Sequence, residues 1–406
     1  MGNHKYKLLL IGTHPIQYAA PVYRRLAEHP SLDVVVAYCS LQGAERAVDP
    51  EFGVEVKWDL PLLEGYRWIE VPNRSPWPGV GRFLGLINPG FWSLIRRGGF
   101  DAILTHTGYL HLSFWIILLA SKMSGTPLLF ASDAATLRPR DHRIWKQLIK
   151  PLVVPRIYRL VDVVTVGCAA GHDFIKSLGV PEERIALTPN VVDNDWWSEQ
   201  AARVDRATVR ARWAVPVSSP TVLFCGKLQP WKRPIDVLRA FAQAGVPSAH
   251  LVFAGEGPLR EAIESEARSL GIMDRVRLLG FINQSELPGL YSATDVFVLS
   301  SEYDPCPDVV CEAMLCGCPV ILSDAVPGRL DLVKTGETGI IYPCGDVTAL
   351  ALVLRAILND ERVLKKLSGA AKRRMESWSP HEYISAIFQS VGQAATKRSR
   401  RMVETA

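Results

Sequence analysis

The sequence predicts an α/β protein of two domains, each built on a mostly parallel sheet, and three observations predict it. The chain has 406 residues, more than one core serves, and about 150 residues per domain gives two or three domains. Short apolar runs of strand length alternate with amphipathic helical runs along the whole chain. That alternation pauses between Asn190 and Pro220 and then restarts in a more regular form. The pause reads as a hinge. The expected bounds are 1–195, 196–376, a last helix over 377–395 that returns to the first domain, and a basic frayed tail over 396–406.

In the first domain, Lys5 to Gly12 is a short buried strand ending in a glycine turn, followed by a loop with His14 and Gln17 and a helix over Val22–His29. A loop after the first parallel strand lies at the carboxyl edge of the sheet, where ligands bind. Gly12, His14 and Gln17 are therefore site candidates, although capping the helix is an equal use for the polar pair. Asp33 to Tyr38 is the second strand. Residues 41–98, with Trp58, Trp68 and Trp77 and many Pro and Gly, read as a long loop over the sheet with room for an acceptor. Three further strands end at His106, Asp133 and Gly167, and a fourth at Asn190.

Between them, residues 138–159 carry seven Arg or Lys and one Asp, with Trp145, Leu148 and Ile149 at i, i+3, i+4. Two readings stay open: a half-buried helix with a solvated charged face, or docking on an anionic membrane. In the second domain, strands end at Gly226, Gly255, Gly280, Ser300, Ser323 and Tyr342, with helices such as Leu259–Leu270 between them, and residues 348–376 are helical.

Composition narrows the function classes. The apolar fraction of 48%, the charged fraction of 21% and a net charge of +5 are those of an ordinary globular protein and give a nucleic-acid partner no support. The apolar run after Met1 is too short for a signal peptide, and Tyr6 breaks a myristoylation pattern. The most apolar segment, Phe114–Ala120, falls far short of the ~20 residues of a spanning helix. A cytoplasmic protein is expected, with peripheral attachment to the inner face of the membrane open. Four of the eight cysteines, Cys306, Cys311, Cys316 and Cys318, crowd one stretch. Their gaps are not those of paired zinc knuckles, so small buried hydrophobes are expected, with no metal and no disulfide scaffold.

The chemistry concentrates in residues 299–324: a strand end, a Pro-rich loop with Asp304, a helix carrying Glu312, a stop at Gly317 and another buried strand. A helix N-terminus at a sheet's carboxyl edge suits a phosphate. Lys227 and Lys232 project from the loop after the strand that ends at Gly226, and two cations there suit a diphosphate. Their spacing is not a P-loop. Gly255-Glu-Gly-Pro-Leu-Arg260 has Arg260 where a dinucleotide fingerprint needs a third glycine, which disfavours a dehydrogenase. A carboxylate pair can mean glycoside hydrolysis, but Glu312 beside a phosphate-type loop is better placed to accept hydrogen bonds from ribose hydroxyls.

These motifs resemble those of the retaining glycosyltransferases of family 4, which have the GT-B fold of two Rossmann-like domains facing a central cleft. Gly226-Lys-Leu through Lys232 is similar to that family's G-R-L-x-x-x-K, and Asp304-x₇-Glu312 to its E-x₇-E. The resemblance is close over about 220–380; in the first half it rests on Thr13 to Tyr18 and on the Asn190 hinge. It implies Lys227 and Lys232 on the donor diphosphate, with the backbone of Val309 and Val310, Glu312 on the ribose, and Phe281 and Ile282 near the base. It implies Asp304 at the transferred sugar, with His106 or Asp133 facing it from the first domain, as the catalytic groups.

The reaction implied is metal-independent transfer of a hexose from a UDP- or GDP-sugar, with retention, to a glycan, lipid-linked or small-molecule acceptor, helped by domain closure about residue 195. Asp304 is a methylene shorter than the usual Glu, Ser132-Asp133 stands where many relatives place a His, and Arg233 replaces a usual Gly. Those departures keep two alternatives: a non-catalytic sugar-nucleotide-binding partner of another transferase, and a nucleotide-sugar epimerase of the same shape.

Overall fold

A computed structural model describes residues 5–44, 47–48, 53–138, 144–305 and 307–404, without side-chain detail at 47–48, 144–147 and 400–404. The chain forms two compact units. Residues 1–45, 61–190 and 380–406 make the first, and residues 46–60 and 191–379 make the second.

The first unit opens with β1 (Tyr6–Gly12), α1 (Ala19–Ala27) and β2 (Leu32–Tyr38). Two short strands that belong to the second unit follow, β3 (Ala47–Val48) and β4 (Glu55–Val56). The first unit resumes with β5 (Trp68–Glu70), α2 (Gly90–Arg97), β6 (Ala102–Thr105), α3 (Leu112–Ser124), β7 (Leu128–Ser132), α4 (Ile144–Leu160), β8 (Val163–Val166), α5 (Ala169–Ser177) and β9 (Ile185–Leu187). Its sheet has the order β5-β2-β1-β6-β7-β8-β9, parallel at every pairing. Leu8 to Ile11 are fully buried because helices cover both faces of such a sheet.

Two expectations change here. Residues 41–98 are not one loop over the first sheet: they contain β5 and α2, and their 46–60 stretch joins the other unit. Helix α4 has two apolar faces. Val154, Ile157 and Tyr158 pack inward, whereas Leu148 and Ile149 point out with Leu152 and Val153. The basic residues at 140 and 143 lie outside the described residues, as does the side chain of Trp145.

The second unit continues with α6 (Asn194–Ala202), α7 (Arg206–Arg212), β10 (Thr221–Cys225), α8 (Pro234–Ala244), β11 (His250–Ala254), α9 (Arg260–Ser269) and β12 (Val276–Gly280). Next come α10 (Leu287–Ser292), β13 (Val296–Leu299), α11 (Asp308–Leu315), β14 (Val320–Ser323), α12 (Arg329–Leu332), β15 (Ile340–Tyr342), α13 (Val347–Leu358) and α14 (Glu361–Met375). Its sheet, also wholly parallel, has the order β12-β11-β10-β13-β14-β15. Asn194 Nδ2 donates to the carbonyls of Met375 (2.9 Å) and Trp378 (3.2 Å), which ties the start of the unit to its end.

The last helix, α15 (Pro380–Glu404), belongs to the first unit, with Ile387 and Val391 fully buried. It runs past residue 395 through the stretch expected to fray, and Arg398 Nη1 donates to the Phe100 carbonyl at 3.1 Å. Among the described residues no helix is long and apolar enough to cross a membrane.

Each sheet reverses its winding once, between β1 and β6 in the first and between β10 and β13 in the second. The loops leaving the carboxyl ends of the two strands at such a reversal diverge to opposite faces and leave a crevice for a ligand. Topology alone therefore selects residues 13–18 and 106–111 in one unit, and residues 226–233 and 300–307 in the other.

Candidate functional site

In the second unit, β10 and β11 each end in a glycine turn, at Gly226 and at Gly255 to Gly257. The turns lie against each other: Leu228 N–H donates to the Glu256 carbonyl at 2.8 Å, and Leu259 N–H to the Leu228 carbonyl at 3.1 Å. A Cβ on Gly255 would stand 1.9 Å from the Gly226 carbonyl oxygen, at a φ of +138°. The glycine is required by backbone against backbone, the turn-making reading of that motif.

The loop after Gly226 carries Lys227, half-buried, and Lys232. Lys232 Nζ lies 2.5 Å from Asp304 Oδ2, with side chains 19% and 11% accessible. This pairing joins the residue expected at the diphosphate to the one expected at the sugar. Ser300 Oγ donates to the carbonyls of Lys232 (2.7 Å) and Arg233 (3.0 Å), and Glu302 N–H to that of Trp231 (2.8 Å), so the β10 and β13 loops are hydrogen-bonded to each other. Arg233 has a left-handed backbone, φ 53° and ψ 44°, which explains why a glycine would serve there. Its guanidinium bonds Asp236 and Glu302 instead, which offsets the strain.

Glu312 sits one turn into α11 and is only 4% exposed. Tyr291 Oη donates to its Oε2 at 3.0 Å and Gln284 Nε2 to its Oε1 at 3.3 Å. Burial pushes its carboxyl up to about 7, against the pull of these two hydrogen bonds. A buried carboxylate with two donors and free lone pairs is suited to accept more hydrogen bonds. At the start of α11, Val310 N–H is already bonded to the Pro307 carbonyl at 2.8 Å. Any phosphate contact at Val310 has to replace that bond; Val309, one residue earlier, is half-buried.

Phe281 and Ile282 follow β12 and are half-buried. The Phe281 ring lies 5.8 Å from that of Trp58, and residues 57–59 hydrogen-bond the loop around them. Sequence reasoning did not single out Gln284 or Tyr291, and it placed Trp58 in the loop over the first sheet. A capping-type Gln and a core-type Tyr carry no local signal, and the contacts of residues 57–59 span 226 positions.

In the first unit, His106 follows β6, and its N–H donates to the Ile11 carbonyl at 2.8 Å. The ring keeps a solvent-accessible side. Desolvation by the surrounding protein lowers its pKa, and the Asp133 carboxylate just after β7 pulls it back up. The Tyr23 ring is 6.2 Å from His106, and burial raises the Tyr23 hydroxyl, with further upward pushes from Tyr383, Tyr18, Tyr66 and Asp133. This tyrosine cluster was not foreseen. A Cβ at Gly12 would press on the Tyr38 ring at 3.1 Å, so a larger residue there requires that ring to shift by a few tenths of an ångström. His14 Nδ1 pairs with Thr13 Oγ1 at 3.0 Å, and Gln17 is half-buried before α1.

Cys311, Cys316 and Cys318 are buried, and burial raises each thiol. Cys306 lies outside the described residues. Among the described residues no three His, Cys, Asp or Glu side chains converge as metal ligands.

Comparison with known proteins fits this geometry. The family model for group 1 glycosyl transferases matches residues 205–374, and that for the glycosyl transferase 4-like domain matches residues 15–190. The chain is 26% identical over 279 residues to a 2-deoxystreptamine glucosyltransferase of Streptomyces kanamyceticus, covering 66% of this chain and 70% of that one. It is 26% identical over 396 residues to a D-inositol 3-phosphate glycosyltransferase of Rhodococcus erythropolis, covering 90% and 86%. With three other curated relatives the match spans 48%, 56% and 51% of their length. Among solved structures, Anabaena HepE in complex with UDP and glucose superposes with a TM-score of 0.73 at 18% identity, covering 96% of this chain and all 100% of that one. At that identity the likeness shows the fold alone. Both units are matched, and the chain belongs to the GT-B glycosyltransferases, with a 4-like first domain and a group 1 second domain.

Proposed function

We propose that the chain transfers a hexose-type sugar from a UDP- or GDP-linked donor, with retention at the anomeric carbon, to a glycan, a glycolipid or a small hydroxylated acceptor. The observation that carries this reading is the Lys232–Asp304 pair at the winding reversal of the second sheet, with buried Glu312 on the helix that follows the Asp304 loop. Glu312 accepts hydrogen bonds from the ribose, and Lys227 and Lys232 neutralise the diphosphate. When Lys232 turns to the diphosphate, Asp304 is released to the hydroxyls of the sugar.

In the transfer, the bond from the anomeric carbon to the phosphate oxygen breaks and the bond to the acceptor oxygen forms on the same face. The acceptor's proton passes to the departing diphosphate. Lysines aimed at charge that grows on the leaving group lower the barrier, since they are positioned in advance. His106 and Asp133 are the first unit's groups for sugar and acceptor. Two relatives are named for small polyol acceptors and the HepE complex holds UDP, which supports trials with polyols and with UDP-sugars. Incubation with UDP- and GDP-sugars and polyol acceptors, with the product anomer read by NMR, tests the reading. An inverted product, or transfer that survives Lys232→Ala and requires an added metal, refutes it.

We further propose that α4 rests on an anionic membrane. Leu148, Ile149, Leu152 and Val153 are 69%, 48%, 63% and 46% exposed, with exposed Arg156 and Arg159 on the same helix face. Large aliphatics interleaved with cations suit the headgroup boundary. Flotation with phosphatidylglycerol vesicles that is lost on Leu148→Ser with Leu152→Ser supports this; flotation indifferent to lipid charge and to those changes opposes it.

A further inference from the structure

Residues 57–59 come from the first half of the sequence yet belong to the second unit, and the chain crosses between units at 45/46 and 60/61 to place them there. Their polar contacts fall on one short loop, residues 281–285, after β12. Asn283 Nδ2 donates to the Lys57 carbonyl at 2.8 Å, and Asn283 Oδ1 accepts the Asp59 N–H at 3.4 Å. The Asp59 carboxylate accepts the Ser285 N–H at 3.2 Å and 3.3 Å, and also the Ser285 hydroxyl. Between Asn283 and Ser285, Gln284 turns inward, 4% exposed, to donate to Glu312. The loop is thus fastened outside by residues 57–59 and inside by Glu312. Trp58, half-buried, stands with its ring at 61° to that of Phe281.

We infer that residues 57–59 form a strap that completes the base site of the donor. Trp58 and Phe281 make the aromatic wall for the base, and Asp59 and Lys57 position the loop that aims Gln284 at Glu312. The inference rests on the donor-site reading of Lys232 and Glu312. Every nucleobase has a π-face that gains from an aromatic neighbour, whatever its edge pattern. The wall therefore supplies affinity, while the spacing between wall and loop decides between a one-ring and a two-ring base. Asp59 sets that spacing. It is a positioning residue, and Trp58 is a specificity-determining one.

The test is calorimetric titration of the full chain with UDP and with GDP. Trp58→Ala is expected to weaken the preferred nucleotide by about 10- to 100-fold, in the range of lost base stacking, and to bring the two dissociation constants together. Trp58→Phe restores most of the loss. Asp59→Ala shifts the UDP-to-GDP ratio in the same direction by a smaller factor, and with a donor sugar KM rises more than kcat falls. A merely structural role would lower the melting temperature and leave the ratio unchanged. If Trp58→Ala leaves both constants within about twofold while Lys232→Ala abolishes binding, the strap is refuted and the donor site stands. If the unmodified chain binds neither nucleotide, the donor-site reading fails and the strap with it.

Discussion

Lys232 Nζ and Asp304 Oδ2 lie 2.5 Å apart, so one cation and one carboxylate of the proposed donor site neutralise each other. On the proposed reading, the donor diphosphate competes with Asp304 for Lys232, and the sugar hydroxyls then take up the freed carboxylate. Asp304→Asn separates the two roles. It removes the competitor, so UDP affinity is unchanged or rises several-fold, while transfer falls by about 100-fold or more, as for lost transition-state contacts. Calorimetry beside steady-state rates measures both. A tenfold loss of UDP affinity in this variant would show that Asp304 supports the diphosphate site instead of competing with it.

Burial raises Glu312 to about 7 from 4.5, so the folded state holds its proton more tightly than the unfolded state. The stability linked to that proton is complete below about pH 4.5 and is lost as pH rises through about 7. At 1.36 kcal/mol per unit this amounts to about 3 kcal/mol. Glu312→Gln should flatten the fall in melting temperature between pH 5 and pH 8. Ribose hydroxyls favour the ionised carboxylate, so nucleotide binding near pH 6.5 should release protons, read as a dependence of binding enthalpy on buffer ionisation. The same pH slope in both proteins would remove Glu312 from this role.

Arg210 in α7 is fully buried. It pairs with Asp295 at 2.7 Å and donates to the carbonyls of Ala293, Val217 and Ser219, each at 2.7 Å. Arg210→Ala breaks the buried ion pair, leaves three carbonyls without this donor and leaves Asp295 to Arg206 and the Thr221 N–H, and should cost about 3–5 kcal/mol in urea unfolding. Lys does not rescue it, because one ammonium cannot reproduce the guanidinium fork. Arg206, half-buried with its side chain 41% accessible and bonded to the same carboxylate, should cost under about 1 kcal/mol when changed to Ala. Equal losses would contradict this ranking.

His106 has a lowered pKa, with Asp133 acting upward. It is therefore neutral near pH 7, and any activity that needs neutral imidazole declines as pH falls through that lowered value. His106→Ala should remove this acid limb and reduce transfer while UDP binding stays within twofold. A matching loss of UDP affinity would place His106 on the donor instead.

Where the candidate site follows local pattern, its place in the fold was legible in the sequence. Gly226, Lys232 and Glu312 stand at strand–turn–helix junctions whose apolar runs and stops can be read residue by residue, and the fold class follows from the same alternation. What was not legible depends on long-range partners. The Lys232–Asp304 pair joins residues 72 positions apart, and residues 57–59 meet their loop from over 220 positions away. No periodicity marks either. Helix α4 shows a different limit: with apolar residues on two faces, the sequence could not say that Val154 and Ile157 would face the sheet and Leu148 and Leu152 the solvent.

In the proposed reading the second unit holds a nucleoside-diphosphate sugar through Lys227, Lys232 and Glu312. Calorimetric titration of UDP and GDP into the unmodified chain, Lys232→Ala and Glu312→Ala tests it most directly. The account predicts binding of at least one nucleotide by the unmodified chain and a loss of about tenfold or more in each variant, at about 1.5–3 kcal/mol per charge-assisted hydrogen bond. Binding that is equally tight in all three proteins would contradict it.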